Sequence, residues 1–327
     1  MKSILLFRLG GLGDLLVALP AIHLLRRAFS KASVGLVGRK DYGELLRGSG
    51  AVDEVFSADD AAWTPLFEES DRIPKDLRAR LSSYDLVLGW FQGRSRLPLL
   101  FSGSRFVSPE RSRSFHYDAD SELSVSRFFF DRTAEFLRAL DASIAPFEAC
   151  CHLSLPADEA AAGAPSFVWG SDSAAMARPL TVLHPGSGSP AKCWPLDRFL
   201  TVTKTLRTRG GHGVLVTGEA EERMEAELRA FVFPPKWRWL PRPSLMDLAR
   251  RLGSGVLYLG NDSGVTHLAA ARGAEVVAIF RKELEMAWAP FGRTCVISAD
   301  EVAEISVERV LNALRQSLGR LRAPTAR

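Results

Sequence analysis

Three short loops in this sequence place small, hydroxyl-bearing or charged residues directly after apolar runs, where a backbone can be brought close to a charged ligand. Gly260-Asn261-Asp262-Ser263-Gly264-Val265-Thr266-His267 follows the apolar run Val256-Leu257-Tyr258-Leu259 and precedes an alanine-rich segment closed by Gly273. A turn between a strand and a helix aims free backbone N–H groups and the positive end of the helix dipole at one point. With the Ser263 and Thr266 hydroxyls alongside, that point suits a phosphate; the plainer alternative is that Asp262 or Ser263 only caps a helix. A second loop, His184-Pro185-Gly186-Ser187-Gly188-Ser189-Pro190-Ala191-Lys192-Cys193-Trp194-Pro195, also follows an apolar run. Its glycines and hydroxyls give backbone access to phosphate oxygens, and Lys192 adds a point charge. It is not a P-loop, because Lys192 lacks both the G-x-x-x-x-G-K frame and a following Ser or Thr. The third, Thr217-Gly218-Glu219-Ala220-Glu221-Glu222, offers a carboxylate that can accept from a ribose diol. Equally it is an acidic first helical turn, the reading that suits Glu221 and Glu222.

Near the start, Arg8-Leu9-Gly10-Gly11-Leu12-Gly13-Asp14 is a glycine-rich turn of a different character. Gly11 and Gly13 satisfy the first two glycines of a dinucleotide fingerprint, but the third position is Leu16. Val37 is followed by Gly38-Arg39-Lys40, with no acid for a nicotinamide ribose, so the oxidoreductase reading is weak. What is left is a backbone able to approach a ligand, with the Asp14 carboxylate at a strand's end. Asp14 as a simple N-cap is the alternative.

The elements that must hold these loops alternate. Strand-like runs occur at 3–9, 34–37, 86–90, 180–184, 213–217, 256–259 and 276–280, with helical segments between them. Such alternation marks an α/β protein with parallel sheets. The stretch 156–179, rich in Ala, Ser, Gly and Pro, reads as a domain linker. The first helix is expected to start at Asp14 or Leu15, and Pro20 should kink it or end its first part. The segment 307–321 carries an apolar stripe at Val307, Val310, Leu311, Leu314, Leu318 and Leu321, expected to pack across the two domains rather than on a membrane.

A length of 327 residues suits two domains, and 46% hydrophobic with 24% charged residues is an ordinary soluble composition. The net charge of +4 does not argue for nucleic acid. Its distribution is uneven: Arg94, Arg96, Arg105, Arg111 and Arg113 face a single acid, Glu110. That cluster is either a solvated loop or a landing site for an anionic substrate or membrane surface. Cys150, Cys151, Cys193 and Cys295 have no metal-ligand spacing, which points to reduced thiols in a cytosolic compartment. Arg8 interrupts the first apolar run, so a β-strand is expected there and not a signal peptide, and no run approaches the roughly 20 apolar residues of a membrane span.

The motifs LGGLGDLLVALPAIHLLRRAF, HPGSGSPAKCWPLDRF, VLVTGEAEE and GNDSGVTHLAAARG, in that order, resemble those of the lipopolysaccharide heptosyltransferases of glycosyltransferase family 9 over nearly the whole chain. The resemblance implies a GT-B fold, two Rossmann-like domains facing across a cleft. It implies an acceptor domain at 1–160, a nucleotide-sugar domain at 175–305 and a closing helix at 306–327 that packs back towards the first domain. It implies an inverting transfer of heptose from ADP-heptose to the anionic inner core of lipopolysaccharide at the cytoplasmic face of the inner membrane. Asp14 would be the general base. Ser187, Ser189 and Lys192, with Asp262, Ser263 and Gly264, would hold the diphosphate. Glu219 would take the ribose, Leu240 and Pro243 the adenine, and His267 the sugar or phosphates, unless it is only a satisfied helix histidine. Gly11, Gly13, Gln92 and Arg94 are the acceptor-side candidates. No metal or other cofactor is expected, since Lys192 and a helix terminus do a cation's work, and Asp118-Ala119-Asp120 reads as a surface loop. One departure stands out: where the family often has F-G-P-T, this chain has Phe280-Arg281-Lys282-Glu283. Another nucleotide sugar, a protein acceptor or a catalytically silent binding module are the alternatives.

Overall fold

The computed structural model describes residues 1–66, 74–92, 112–117, 121–155 and 179–322. The chain divides into two compact units, Met1–Ser154 and Leu155–Arg327. In the first, β1 (Ser3–Phe7), α1 (Leu12–Val17), α2 (Leu19–Ala28), β2 (Ser33–Gly38), α3 (Lys40–Gly48), β3 (Glu54–Ser57), α4 (Lys75–Ser82), β4 (Leu86–Gln92), β5 (Ser112–Tyr117) and α5 (Val125–Arg138) follow in order. The second has β6 (Leu180–His184), α6 (Leu196–Thr208), β7 (Gly213–Thr217), α7 (Glu225–Ala230), β8 (Trp237–Pro241), α8 (Leu245–Arg251), β9 (Val256–Asn261), α9 (Gly264–Ala271), β10 (Glu275–Arg281), α10 (Lys282–Trp288), β11 (Thr294–Ala299) and α11 (Val307–Arg322).

Every described strand pair is parallel, in the orders β3-β2-β1-β4-β5 and β11-β10-β9-β6-β7-β8. Strand order reverses between β1 and β4 in the first sheet and between β6 and β9 in the second. In open doubly wound sheets ligands sit outside the carboxyl ends of the strands at such reversals. All seven strand-like runs of the sequence are strands here, and their continuous Val, Leu and Ile content is explained by burial on both faces: Ile4, Leu5, Leu6 and Phe7 of β1 are fully buried.

Of the two outcomes expected at Pro20, a kink or an end to the first part of the helix, the second is found. α1 ends at Val17, and α2 starts at Leu19 with Pro20 in its first turn, where a missing N–H costs nothing. At the other end of the chain, the apolar stripe directed by the sequence towards the first domain lies in the second unit's own core. Val310, Leu311 and Leu314 are buried there, with Val307, Leu318 and Leu321 packed beside them, and α11 rests on β9, β10, β11 and α6. A clasp is added by two arginines: the fully buried Glu275 of β10 accepts from Arg293, just before β11, at 2.8 Å and from Arg320 of α11. The four cysteines are free thiols.

Candidate functional site

In the first unit the chain leaves β1 through Arg8, which is only 5% exposed. Its guanidinium donates to the Asp14 carbonyl at 2.6 Å, to the Trp90 carbonyl of β4 at 2.9 Å and to Asp14 Oδ1 at 3.4 Å. It lies over the Phe129 ring of α5. Burial pulls this guanidinium down to about 10 while the Asp14 charge opposes the fall, so it remains a cation at neutral pH. The other carboxylate oxygen of Asp14 accepts the Gly11 N–H at 2.7 Å. Asp14 therefore does cap α1, but from its third position, reaching back to the N–H of Gly11, which is itself the N-cap residue. Gly10 has φ +103°, and a Cβ there would stand 2.5 Å from Asp14 Oδ2, so only glycine lets the carboxylate fold back over the turn. Gly11 precedes α1 and Gly13 lies in its first turn. Gln92 ends β4. The Gln92 side chain, Arg94, most of the arginine cluster and Asp118 to Asp120 lie outside the described residues.

In the second unit, β6 and β9 run in register with His184 opposite Gly260, so the loops that follow emerge side by side. Hydrogen bonds join them. The fully buried Asn261 accepts the Trp194 N–H at 3.0 Å and donates to the Pro185 carbonyl at 2.7 Å; Ser187 Oγ donates to the Asp262 carbonyl at 2.6 Å. Lys192 Nζ pairs with Asp262 Oδ2 at 2.7 Å. Ser263 caps α9 by accepting the Thr266 N–H at 3.3 Å. Thr266 Oγ1 donates to the Asn261 carbonyl, and the Tyr258 hydroxyl lies 3.1 Å from it. Gly264 opens α9. Together these place an ammonium, a serine cap and a helix N-terminus at the carboxyl ends of the two central strands.

The structure treats the sequence candidates unequally. Lys192, Asp262, Ser263 and Gly264 come together at this strand reversal. The carboxylate of Asp262 is an acceptor only, so its contribution to an anion site is to hold Lys192 rather than to touch phosphate. The proton of Ser187 is committed to the Asp262 carbonyl. Ser189 begins the short helical turn Pro190–Lys192, half-buried. Glu219 is exposed just past β7. Leu240 and Pro243 lie at and after the end of β8, half-buried, on either side of Arg242, whose N–H donates to the Thr217 carbonyl at 2.7 Å. His267 is 2% exposed within α9, which favours the helix-histidine reading over a sugar contact.

Sequence reasoning missed two groups. Arg8 stood as the interruption of an apolar run and the first residue of the glycine-rich turn, with no role of its own, although a charged residue ending a buried strand signals a partner nearby. Glu221, read as a first-turn acid, is 3% exposed; its Oε2 accepts the Gly218 N–H at 2.6 Å and lies 3.7 Å from His184 Nε2. Burial would raise this carboxyl, but His184, the Gly218 N–H and Arg223 outweigh it and hold the group below the usual glutamate value.

Comparison with known proteins completes the description. The profile of glycosyltransferase family 9 (heptosyltransferase) matches residues 105–312. Lipopolysaccharide heptosyltransferase 3 of Escherichia coli is 23% identical over 128 residues, so the matched stretch spans 38% of this chain and 38% of that protein. Among solved structures, the E. coli ADP-heptose lps heptosyltransferase II superposes with a TM-score of 0.71 at 19% identity, covering 99% of this chain and 100% of that one. The E. coli heptosyltransferase WaaC with ADP gives 0.64 at 16% identity, covering 97% and 100%. The fold shared with them is GT-B.

Proposed function

This chain belongs to glycosyltransferase family 9, and from that premise we propose that it transfers heptose from ADP-heptose to the inner core of lipopolysaccharide, inverting the anomeric carbon without a metal ion. The observation that carries the reading is Lys192, held at 2.7 Å by the buried Asp262 beside the Ser263-capped start of α9. The two meet as an ion pair, so the ammonium keeps N–H donors for diphosphate oxygens, and the N–H groups that open α9 add partial positive charge. Negative charge growing on the departing ADP is stabilised by groups already in place, which is the largest service a protein offers such a step. Asp14, oriented by Arg8 and the Gly11 N–H, takes the proton of the acceptor hydroxyl as it attacks. Gly11 and Gly13 serve the acceptor side, for which Gln92 and Arg94 are the further candidates from the sequence, Glu219 takes the ribose, and Leu240 and Pro243 take the adenine.

The anionic acceptor suits the arginines between Arg94 and Arg113, and the names of the relatives support both substrates: one is a lipopolysaccharide heptosyltransferase, another was solved with ADP. Among the described residues no helix is long and apolar enough to cross a membrane. In this reading the enzyme works on an anionic lipopolysaccharide acceptor, as a peripheral protein on the cytoplasmic side of the inner membrane. Incubation with ADP-heptose and a heptose-free lipopolysaccharide acceptor should add one heptose by mass spectrometry, equally well with EDTA present. Calorimetric titration should rank ADP above UDP and GDP. A strict divalent-ion requirement would overturn the metal-free mechanism, and a preference for UDP or GDP would overturn the donor.

A further inference from the structure

The buried pair beside the diphosphate loop has a role of its own. His184 ends β6, is 5% exposed, and has one ring nitrogen towards each of two partners. Nε2 is 3.7 Å from Glu221 Oε2 and Nδ1 is 3.4 Å from Ser263 Oγ. The Glu221 carboxylate faces Nε2 and the Ser263 hydroxyl faces Nδ1, so the imidazole spans the gap between Glu221 and the residue that caps α9. Glu221 also reaches the other wall of the site: a Cβ on Gly186 would stand 1.9 Å from its Oε1, so the carboxylate lies against the backbone of the loop that carries Lys192. Gly186 is glycine because Glu221 occupies the side-chain space.

We infer that Glu221 and His184 are positioning residues for the donor diphosphate: Glu221 fixes the imidazole, the imidazole fixes Ser263, and the 185–192 loop and the start of α9 are thereby held in one register for the anion. The inference rests on the nucleotide-sugar reading of this site. Glu221 stays ionised in the role because the His184 contact and the Gly218 N–H outweigh its burial. It differs from Glu219, which is exposed beyond the same strand and is the ribose candidate. Glu221→Gln keeps the bulk that lies against Gly186 and removes the charge that faces His184, and this gives the inference its test.

The measurements are calorimetric ADP binding, ligand-detected NMR binding of adenosine, and thermal unfolding, on the full chain and on Glu221→Gln, His184→Ala and the double variant. Each single substitution should weaken ADP about tenfold, the scale of one lost hydrogen bond to a charged group. The double variant should bind ADP no worse than His184→Ala alone. Adenosine affinity should be unchanged in all three, which a general loosening of the fold would not leave intact. His184→Asn, whose amide can still reach Ser263 but not Glu221, should recover part of the ADP affinity lost in His184→Ala and be indifferent to Glu221→Gln. Additive losses would overturn the inference, since Glu221 would then touch the nucleotide directly. So would equal losses for ADP and adenosine, or unchanged ADP binding in the singles. A native chain that binds adenosine but not ADP, or neither, would instead overturn the proposed function, and the positioning role with it.

Discussion

In the first unit a buried cation holds a partly exposed carboxylate; in the second a buried carboxylate holds a partly exposed ammonium. Arg8 and Asp14 expose 3% and 28% of their side chains, whereas Asp262 and Lys192 expose 8% and 34%. Both pairs stand at the carboxyl ends of the central strands of similarly wound parallel sheets, where the strand order reverses. The backbone plan is thus nearly repeated while the charge order is inverted. The buried member cannot meet a ligand; it sets the geometry and sign of what the exposed member presents. In the proposed reading one unit offers a base and the other an anion receptor, which are the two functions that a displacement at an anomeric carbon requires.

The sharpest way to break this comparison is to neutralise Asp14. Asp14→Asn keeps the shape and an oxygen for the Gly11 N–H but removes the proton acceptor. Transfer should fall by about 10³-fold, within the range for loss of a general base, while ADP affinity stays within about twofold. Turnover at the native rate would remove the base from the first unit. Lys192→Ala is the counterpart and should weaken ADP by about 30-fold, the scale of lost charge-assisted hydrogen bonds. Asp262→Asn should cost about fivefold, because the ammonium remains and only its orientation loosens. If Lys192→Ala lowered turnover while leaving ADP affinity intact, the second unit would not be the anion receptor.

How much of this arrangement the sequence revealed follows from burial. The seven strands it marked have apolar runs, and those at the sheet centres are covered on both faces. The four it missed, β3, β5, β8 and β11, are the two edges of each sheet. Edge strands are half-covered and mix polar residues into the run; β3 and β11 have only one buried residue between them. The loops were legible because glycine, serine and lysine after a strand have few other uses there. The pairings were not. Arg8 finds the Trp90 carbonyl and His184 finds Glu221 only after parallel strands distant in sequence have been brought side by side. Ser187 and Asp262 were read as direct anion contacts, although the sequence could not show that they are tied to each other and to Lys192.

The smallest expected effect concerns pH, and again the two units differ. The carboxyl of Glu221 is held below its usual value in the folded chain, so its ionised form contributes stability that is fully present above the unfolded value and is lost as pH falls through the folded one. Arg8 lies at the other end of the scale. Its folded value of about 10 is below the ordinary 12.5, so the buried charge opposes folding at neutral pH, and that opposition is relieved only as pH rises above about 10. Acid should therefore loosen the second unit through Glu221, and alkali should relieve the first through Arg8. In urea unfolding followed from pH 7 downwards, the stability gap between the native chain and Glu221→Gln should narrow as the native carboxyl takes up its proton. Followed upwards, the native chain should gain stability relative to Arg8→Met above about pH 10, as the buried guanidinium gives up its proton. A constant gap for Glu221→Gln would mean that no ionised carboxylate contributes at that position, and a constant gap for Arg8→Met would mean that the buried guanidinium charge does not oppose folding.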